Sequence, residues 1–226
     1  MEEVAPGLWR LPLAPLDSLN AYLLGDVLVD SGSRYSAGRL LSALEGWAQD
    51  GRRLETHALT HAHFDHQGSS HAVCDHFRIP LWCGGGDRAA VESGDLSQIL
   101  GDSAWWVARL GKVLGGPAHP VSRTLMDGDE VGGFTVLEVP GHTPGHLAFW
   151  RESDRALVLG DVLFHRNPAT LRLKLAEPFR SATTDPDLNR DSARRLALLE
   201  PSVICFGHGP PLRDGERFRA FVSGLQ

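Results

Sequence analysis

Lysine is nearly missing from this chain: Lys112 and Lys174 are the only two in 226 residues, and arginine carries the remaining positive charge. Acids outnumber bases, the net charge is −6 with histidine neutral, and no basic run occurs, which argues against a nucleic-acid partner. Cysteine is scarce as well. Cys74, Cys83 and Cys205 are odd in number and lack CxxC spacing. That excludes a disulfide framework and fits reduced, buried thiols of a cytoplasmic protein. No stretch approaches the roughly 18 apolar residues of a membrane span, so no membrane partner is expected. The N-terminal MEEVAPGLWRLPL places acids where a signal peptide needs bases. Tyrosine occurs only at Tyr22 and Tyr35. No internal repeat is visible, and the oligomeric state stays open, a homodimer included.

Histidine, by contrast, is plentiful, and its densest cluster is THAHFDH at residues 60–66. The preceding His57-Ala58-Leu59-Thr60 reads as a short buried strand, and Gly68-Ser69-Ser70 as the opening of a helix. In extended chain, His61 and His63 point to the same side because side chains alternate with period two. The turn that follows can swing Asp65 and His66 to a second point. One loop thus presents two imidazoles to one metal, and a carboxylate plus an imidazole to a neighbour.

Along the chain, LWRLPL, AYLL and VLVDSG read as strands, with Gly25-Asp26 as a two-residue hairpin turn. Leu40, Leu41, Leu44 and Trp47 recur at helical spacing between Ser36 and Gln49. After the motif strand come a helix near 69–77 and a strand around 79–83. Residues 84–120 are glycine-rich and partly helical. Strands follow at 134–139, 147–150 and 156–160, then a helix near 186–199, the strand SVICFG and a last helix. Strands flanked by helices without a linker predict one domain over residues 1–226, a sheet core with helices outside it. Within it, 84–120 is read as a lid insertion.

Three more metal-type side chains sit just past predicted strands: His142 in LEVPGHTPGH, Asp161 in ALVLGD and His208 in VICFGHG. Strand-end loops are where rigid scaffolds display chemistry, and a glycine beside each lets backbone approach closely. The order HxHxDH, GHTPGH, GD, GHG resembles the metallo-β-lactamase superfamily, and the match runs from residue 61 to residue 208. The N-terminal hairpin ending in LVDSG also fits.

That resemblance implies an α/β fold, a four-layer αββα sandwich with a dinuclear centre at one edge. It implies that His61, His63 and His142 hold one metal, that Asp65, His66 and His208 hold a second, and that Asp161 bridges them. Imidazole and carboxylate donors suit two divalent ions, zinc first and iron or manganese next, and the absence of cysteine ligands argues against a closed structural zinc site. Such a pair generates hydroxide at neutral pH and polarises the bond under attack. The expected function is hydrolysis of an activated ester-type bond in a small-molecule substrate, a thioester or lactone, with Asp65 or water relaying the proton to the leaving group. The alternative is a mononuclear iron persulfide dioxygenase of the same fold, its iron held by His61, His142 and Asp161.

Within the superfamily, glyoxalase II adds a C-terminal helical domain, whereas this chain ends a short helix beyond His208. Quorum-sensing lactonases use a tyrosine near the metals, and both tyrosines here precede the motif. Several residues are candidates for the surroundings of the site. Asp30 would orient a ligand; His146 and His165 would stand behind or beside the metals. Trp105 and Trp106 would form a lid, and Arg166 would meet a substrate carboxylate.

Overall fold

A computed structural model of the chain describes residues 1–49, 51–100 and 105–226; residues 101–104 of the expected lid segment lie outside the described residues. Seven strands form the first sheet in sequential order: β1 (Glu2–Ala5), β2 (Leu8–Pro12), β3 (Asn20–Leu24), β4 (Val27–Val29), β5 (Thr56–Ala58), β6 (Leu81–Gly84) and β7 (Val121–Leu125). The first four strands pair antiparallel, and β4 to β7 run parallel. The second sheet uses β8 (Glu130–Val131), β9 (Phe134–Glu138), β10 (Leu147–Arg151), β11 (Ala156–Val158) and β14 (Val203–Cys205), in the order β14-β11-β10-β9-β8. A hairpin of β12 (Phe164–Arg166) and β13 (Leu173–Ala176) stands apart.

Period-two alternation sorts side chains into layers. Tyr22 and Leu24 of β3, Phe134 and Val136 of β9, and Leu147 and Phe149 of β10 share one core between the two sheets. Ala21 and Leu23 face the opposite way, onto α1 (Ala37–Ala48), α3 (Ser70–Phe77) and α4 (Arg88–Ser93), where Leu40, Leu44, Val73 and Val91 pack. Ala148, Leu157 and Ile204 turn outward from the second sheet, onto Ala193 and Leu196 of α6 (Pro186–Leu198) and Phe218 of α7 (Gly215–Ser223). The result is four layers, helices outside and two sheets within, as the motif order implied.

The helix expected from Ser36 to Gln49 forms as Ala37–Ala48, and that expected near 69–77 forms as Ser70–Phe77. A single helical turn, α2 (Phe64–Gln67), lies inside the motif, where a plain turn was expected. Strands β1 and β7 and the β12–β13 hairpin were not foreseen. The reason is local: β7 reads VSRTL, with only its end residues buried, so its apolar signal is thin. Helix α5 (Trp105–Leu114) lies in the 84–120 segment and buries Val107. No helix among the described residues is long and apolar enough to cross a membrane.

Candidate metal centre

Each ligand-type side chain follows the C-terminal end of a strand. His61 and His63 follow β5, His142 follows β9, Asp161 follows β11 and His208 follows β14. Ligands gather at the carboxyl ends of strands in such sheets. Cross-sheet bonds draw these loops together: the Leu147 N–H donates to Thr60 O at 2.8 Å, and the Asn20 N–H donates to Gly207 O at 2.9 Å. Asn20 Nδ2 also donates to Gly209 O at 2.8 Å, and the Tyr22 hydroxyl to Phe206 O at 2.8 Å. The loop carrying His208 is therefore anchored to the first sheet. A side chain on Gly207 would collide with Asp161 Oδ1 and His66 Cε1, so glycine there lets the carboxylate and imidazole close in.

All seven residues come together. Their donor atoms form three overlapping groups, each within 4.8 Å: His61, His63 and His142; His61, His66 and Asp161; Asp65, His66 and His208. His61 Nε2 and His63 Nδ1 are 3.1 Å apart. Asp161 Oδ2 sits centrally, 3.9 Å from His61 Nε2, 3.8 Å from His142 Nε2, 3.4 Å from His66 Nε2 and 3.2 Å from His208 Nε2. Asp65 Oδ2 lies 3.4 Å from His208 Nε2, and its side chain keeps 25 % of its surface exposed.

The outer nitrogens of four histidines are held by partners that set their tautomers. The Thr60 hydroxyl donates to Asp30 Oδ2 at 2.8 Å, so it accepts from His61 Nδ1–H at 3.0 Å. His66 Nδ1–H donates to Asp30 Oδ2 at 2.8 Å. Thr183 donates to Phe179 O, so it accepts from His142 Nδ1–H at 3.1 Å. His208 Nδ1–H donates to Ser18 O. In each case Nε2 is the nitrogen turned inward, the orientation metal-ligating imidazoles adopt. Asp30 holds this position with a left-handed backbone, φ 62.

Buried polar atoms without a partner test whether cations fit here. His63 Nε2, His66 Nε2, His142 Nε2 and Asp161 Oδ1 have none, a condition that costs free energy unless something else satisfies them. Burial, with the neighbouring imidazoles, holds His61 and His142 well below the usual histidine range and His63 at about 4, so these rings are neutral, as ligation requires. Burial also acts against protonation of His208, yet Asp161 and Asp65 raise it to about 10. His66 is raised likewise by Asp161 and Asp30 against its burial. The side facing Asp161 is thus a place where positive charge is favoured, and the donor set fits divalent cations.

The remaining candidates divide. His146 is buried behind the cluster, its ring 4.8 Å from that of His61, and its Nε2 accepts the Asp161 N–H at 3.3 Å. It positions the backbone of the central carboxylate. His165 instead bonds Pro210 O and packs on Phe206. Arg166 Nη1 donates to Leu171 O within its own hairpin, and Arg166 does not line the cavity over the site. Trp106 lines the cavity over the site, and Trp105 is 71 % exposed. Tyr35 is exposed and the Tyr22 hydroxyl is engaged at Phe206, so neither reaches the cavity. The three cysteines are free and buried, and burial pushes each thiol up to about 12.

Asp87 was missed in the sequence. Fully buried, it accepts from Ala62 N at 2.8 Å, Gly145 N at 2.7 Å and Thr143 Oγ1 at 2.7 Å, tying the HxHxDH loop to the GHTPGH loop. Burial raises its carboxyl to about 6 against those three bonds. A signal existed: GGGDR places an acid beyond a strand and beside glycine, like the other site residues.

A profile of the metallo-beta-lactamase superfamily matches residues 14–208. The probable metallo-hydrolase YflN of Bacillus subtilis is 29% identical over 213 residues, covering 88% of this chain and 80% of the relative. The hydroxyacylglutathione hydrolase GloC of Haemophilus influenzae is 28% identical over 204 residues, covering 85% and 84%. A crystal structure of TTHA1623 in a di-iron-bound form superimposes with a TM-score of 0.68 at 30% identity, covering 92% of this chain and 95% of that one. With the sandwich and its histidine–aspartate cluster in place, the chain belongs to the metallo-β-lactamase superfamily and is a metal-dependent hydrolase.

Proposed function

We propose that the chain is a dinuclear hydrolase of an ester-type carbonyl bond, a thioester or lactone. The observation that carries this reading is the central place of Asp161 Oδ2, within 3.9 Å of imidazole nitrogens from both ligand sets. His61, His63 and His142 would hold one divalent ion and Asp65, His66 and His208 the other, with Asp161 between them. Nitrogen and oxygen donors without thiolate suit zinc first and iron or manganese next. When bound, two such ions supply hydroxide at neutral pH and Lewis acidity for the carbonyl.

The chain's own residues supply the rest. Asp30, Thr60, Thr183 and the Ser18 carbonyl hold four imidazoles in one tautomer and orientation. Asp65 is held below the usual carboxylate range, since His208 and His66 outweigh its burial. Besides Asp161, it is the only carboxylate lining the cavity among the described residues. It is therefore the group placed to accept a proton and pass it to the leaving group. A small-molecule substrate acted on in the cytoplasm completes the proposal.

Elemental analysis of the purified protein, with a panel of thioesters, lactones, phosphodiesters and persulfides, tests it. About two ions per chain with ester-type turnover is expected. Asp161→Ala should lose bound metal and at least about 100-fold of the activity, because ligand and bridge go together. One iron per chain with oxygen uptake on a persulfide would overturn the reading in favour of the dioxygenase.

A further inference from the structure

The histidine–aspartate cluster opens into a cavity of about 250 Å³ whose walls above it are apolar. Phe64, Trp106, Leu110, Phe164, Phe179 and Ala182 line it above the histidines, and no lysine or arginine lines it among the described residues. The aromatic walls brace one another: Trp106 meets Phe179 edge-on at 6.3 Å, and Phe164 meets Phe179 at 5.8 Å and His208 at 4.9 Å. Trp106 Nε1–H donates to Ser181 Oγ at 3.2 Å. With its one polar atom engaged there, the indole offers the cavity an apolar surface. Two otherwise separate elements, α5 and the segment 179–182, are joined by that bond into one wall.

A carboxylate- or phosphate-bearing group in this space would lose its water and find no cation beyond the metal cluster, an unfavourable exchange. An alkyl or aryl group would gain about 0.8 kcal/mol per buried methylene. We propose that the cavity takes the acyl side of the substrate, and that this acyl group is uncharged and apolar, a linear alkyl or aryl chain. The inference rests on the hydrolase reading above for the position of the scissile bond. It goes beyond that reading in separating this chain from enzymes whose acyl groups are small and hydroxylated. Helix α5 is then the specificity wall, with Leu110 at its rim, 39 % exposed.

Two measurements on the zinc-loaded full chain test the pocket and the chemistry separately. Calorimetric titration with linear alkanoates from acetate to decanoate needs no turnover. Binding should tighten roughly fourfold per methylene until the cavity is full, then level off. Dicarboxylates of equal length should bind no better than acetate. Leu110→Arg, at a rim position that tolerates a long side chain, should flatten the alkanoate series and favour the dicarboxylates, with circular dichroism showing that it folds. An alkanoate series that is flat in the unmodified protein, or unaltered by Leu110→Arg, overturns the acyl pocket. Hydrolysis of acyl thioesters and lactones is measured in parallel. Graded binding without hydrolysis of any ester upholds the pocket and sinks the hydrolase reading; hydrolysis with flat binding does the reverse.

Discussion

Among the described residues Asp87 forms no ion pair, yet it is buried at the meeting of two ligand loops. Its oxygens satisfy two backbone N–H groups and one hydroxyl. Asp87→Ala leaves those donors unpaired at about 1–3 kcal/mol each. Denaturant unfolding is expected to show several kcal/mol of lost stability, and competition with a chelator about 10–100-fold weaker metal binding. His57 offers a second test at this scale. Its Nε2 meets Ser70 Oγ at 2.8 Å and its Nδ1 lies 3.1 Å from Leu28 O. Burial lowers the ring to about 4, against the Leu28 carbonyl and Asp30. A histidine with a depressed folded value contributes stability above its unfolded value near 6.5, and that contribution is lost as pH falls through about 4. The amount is about 3 kcal/mol. In urea titrations, the stability difference between the parent chain and His57→Asn is expected to shrink by that order between pH 7.5 and pH 4; an unchanged difference would count against the assignment.

At the scale of elements, the end of β6 runs directly under the GHTPGH loop. A Cβ on Gly84 would overlap the Gly145 carbonyl oxygen, with the Gly145 carbonyl carbon at 2.8 Å, whereas one on Gly85 would meet nothing within 4 Å. Both obstacles are backbone, which cannot rotate aside. Gly84→Ala is therefore expected to push the loop bearing His142 outward, costing about 1–3 kcal/mol or more, with weaker metal binding. Gly85→Ala should match the parent chain in melting temperature and metal content. The contrast lies one residue apart in a run of three glycines, and glycine-rich composition alone does not distinguish them. Helix α6 shows the opposite case, a boundary written locally. Asp185 accepts from Asp187 N and Leu188 N, and Pro186 opens the helix, so its start is legible from four residues.

Across the whole molecule, the seven ligand-type residues come from four strand ends in two sheets, so bound ions would cross-link both halves of the sandwich. Any ligand that binds only the folded form stabilises it, by about 2.7 kcal/mol per site at 100 times its dissociation constant. For a chain of this size that corresponds to roughly 5–10 °C per site. Treatment with chelator is expected to lower the melting temperature accordingly, and added zinc to restore it. If the melting temperature is indifferent to both, the ligand set does not hold ions.

The seven ligand-type residues and the order of their motifs were legible from the chain because each rests on a local signal, whereas the αββα layering came from the family resemblance those motifs carry. Side-chain alternation marks the strands, and His61, His63, Asp65 and His66 share one short loop. His142, Asp161 and His208 each follow an apolar run. Other features needed the assembled fold. Asp87 lies 25 residues from its partner at Ala62 and 58 from Gly145, and no period links them. His165 and Arg166 lie four and five residues beyond Asp161 in sequence, yet their side chains bond Pro210 O and Leu171 O. Trp105 and Trp106 are adjacent, yet helix geometry turns only the second into the cavity. Donor chemistry follows from residue type and short spacing; which side chains support, wall or miss the site depends on where distant segments cross, and only packing decides that.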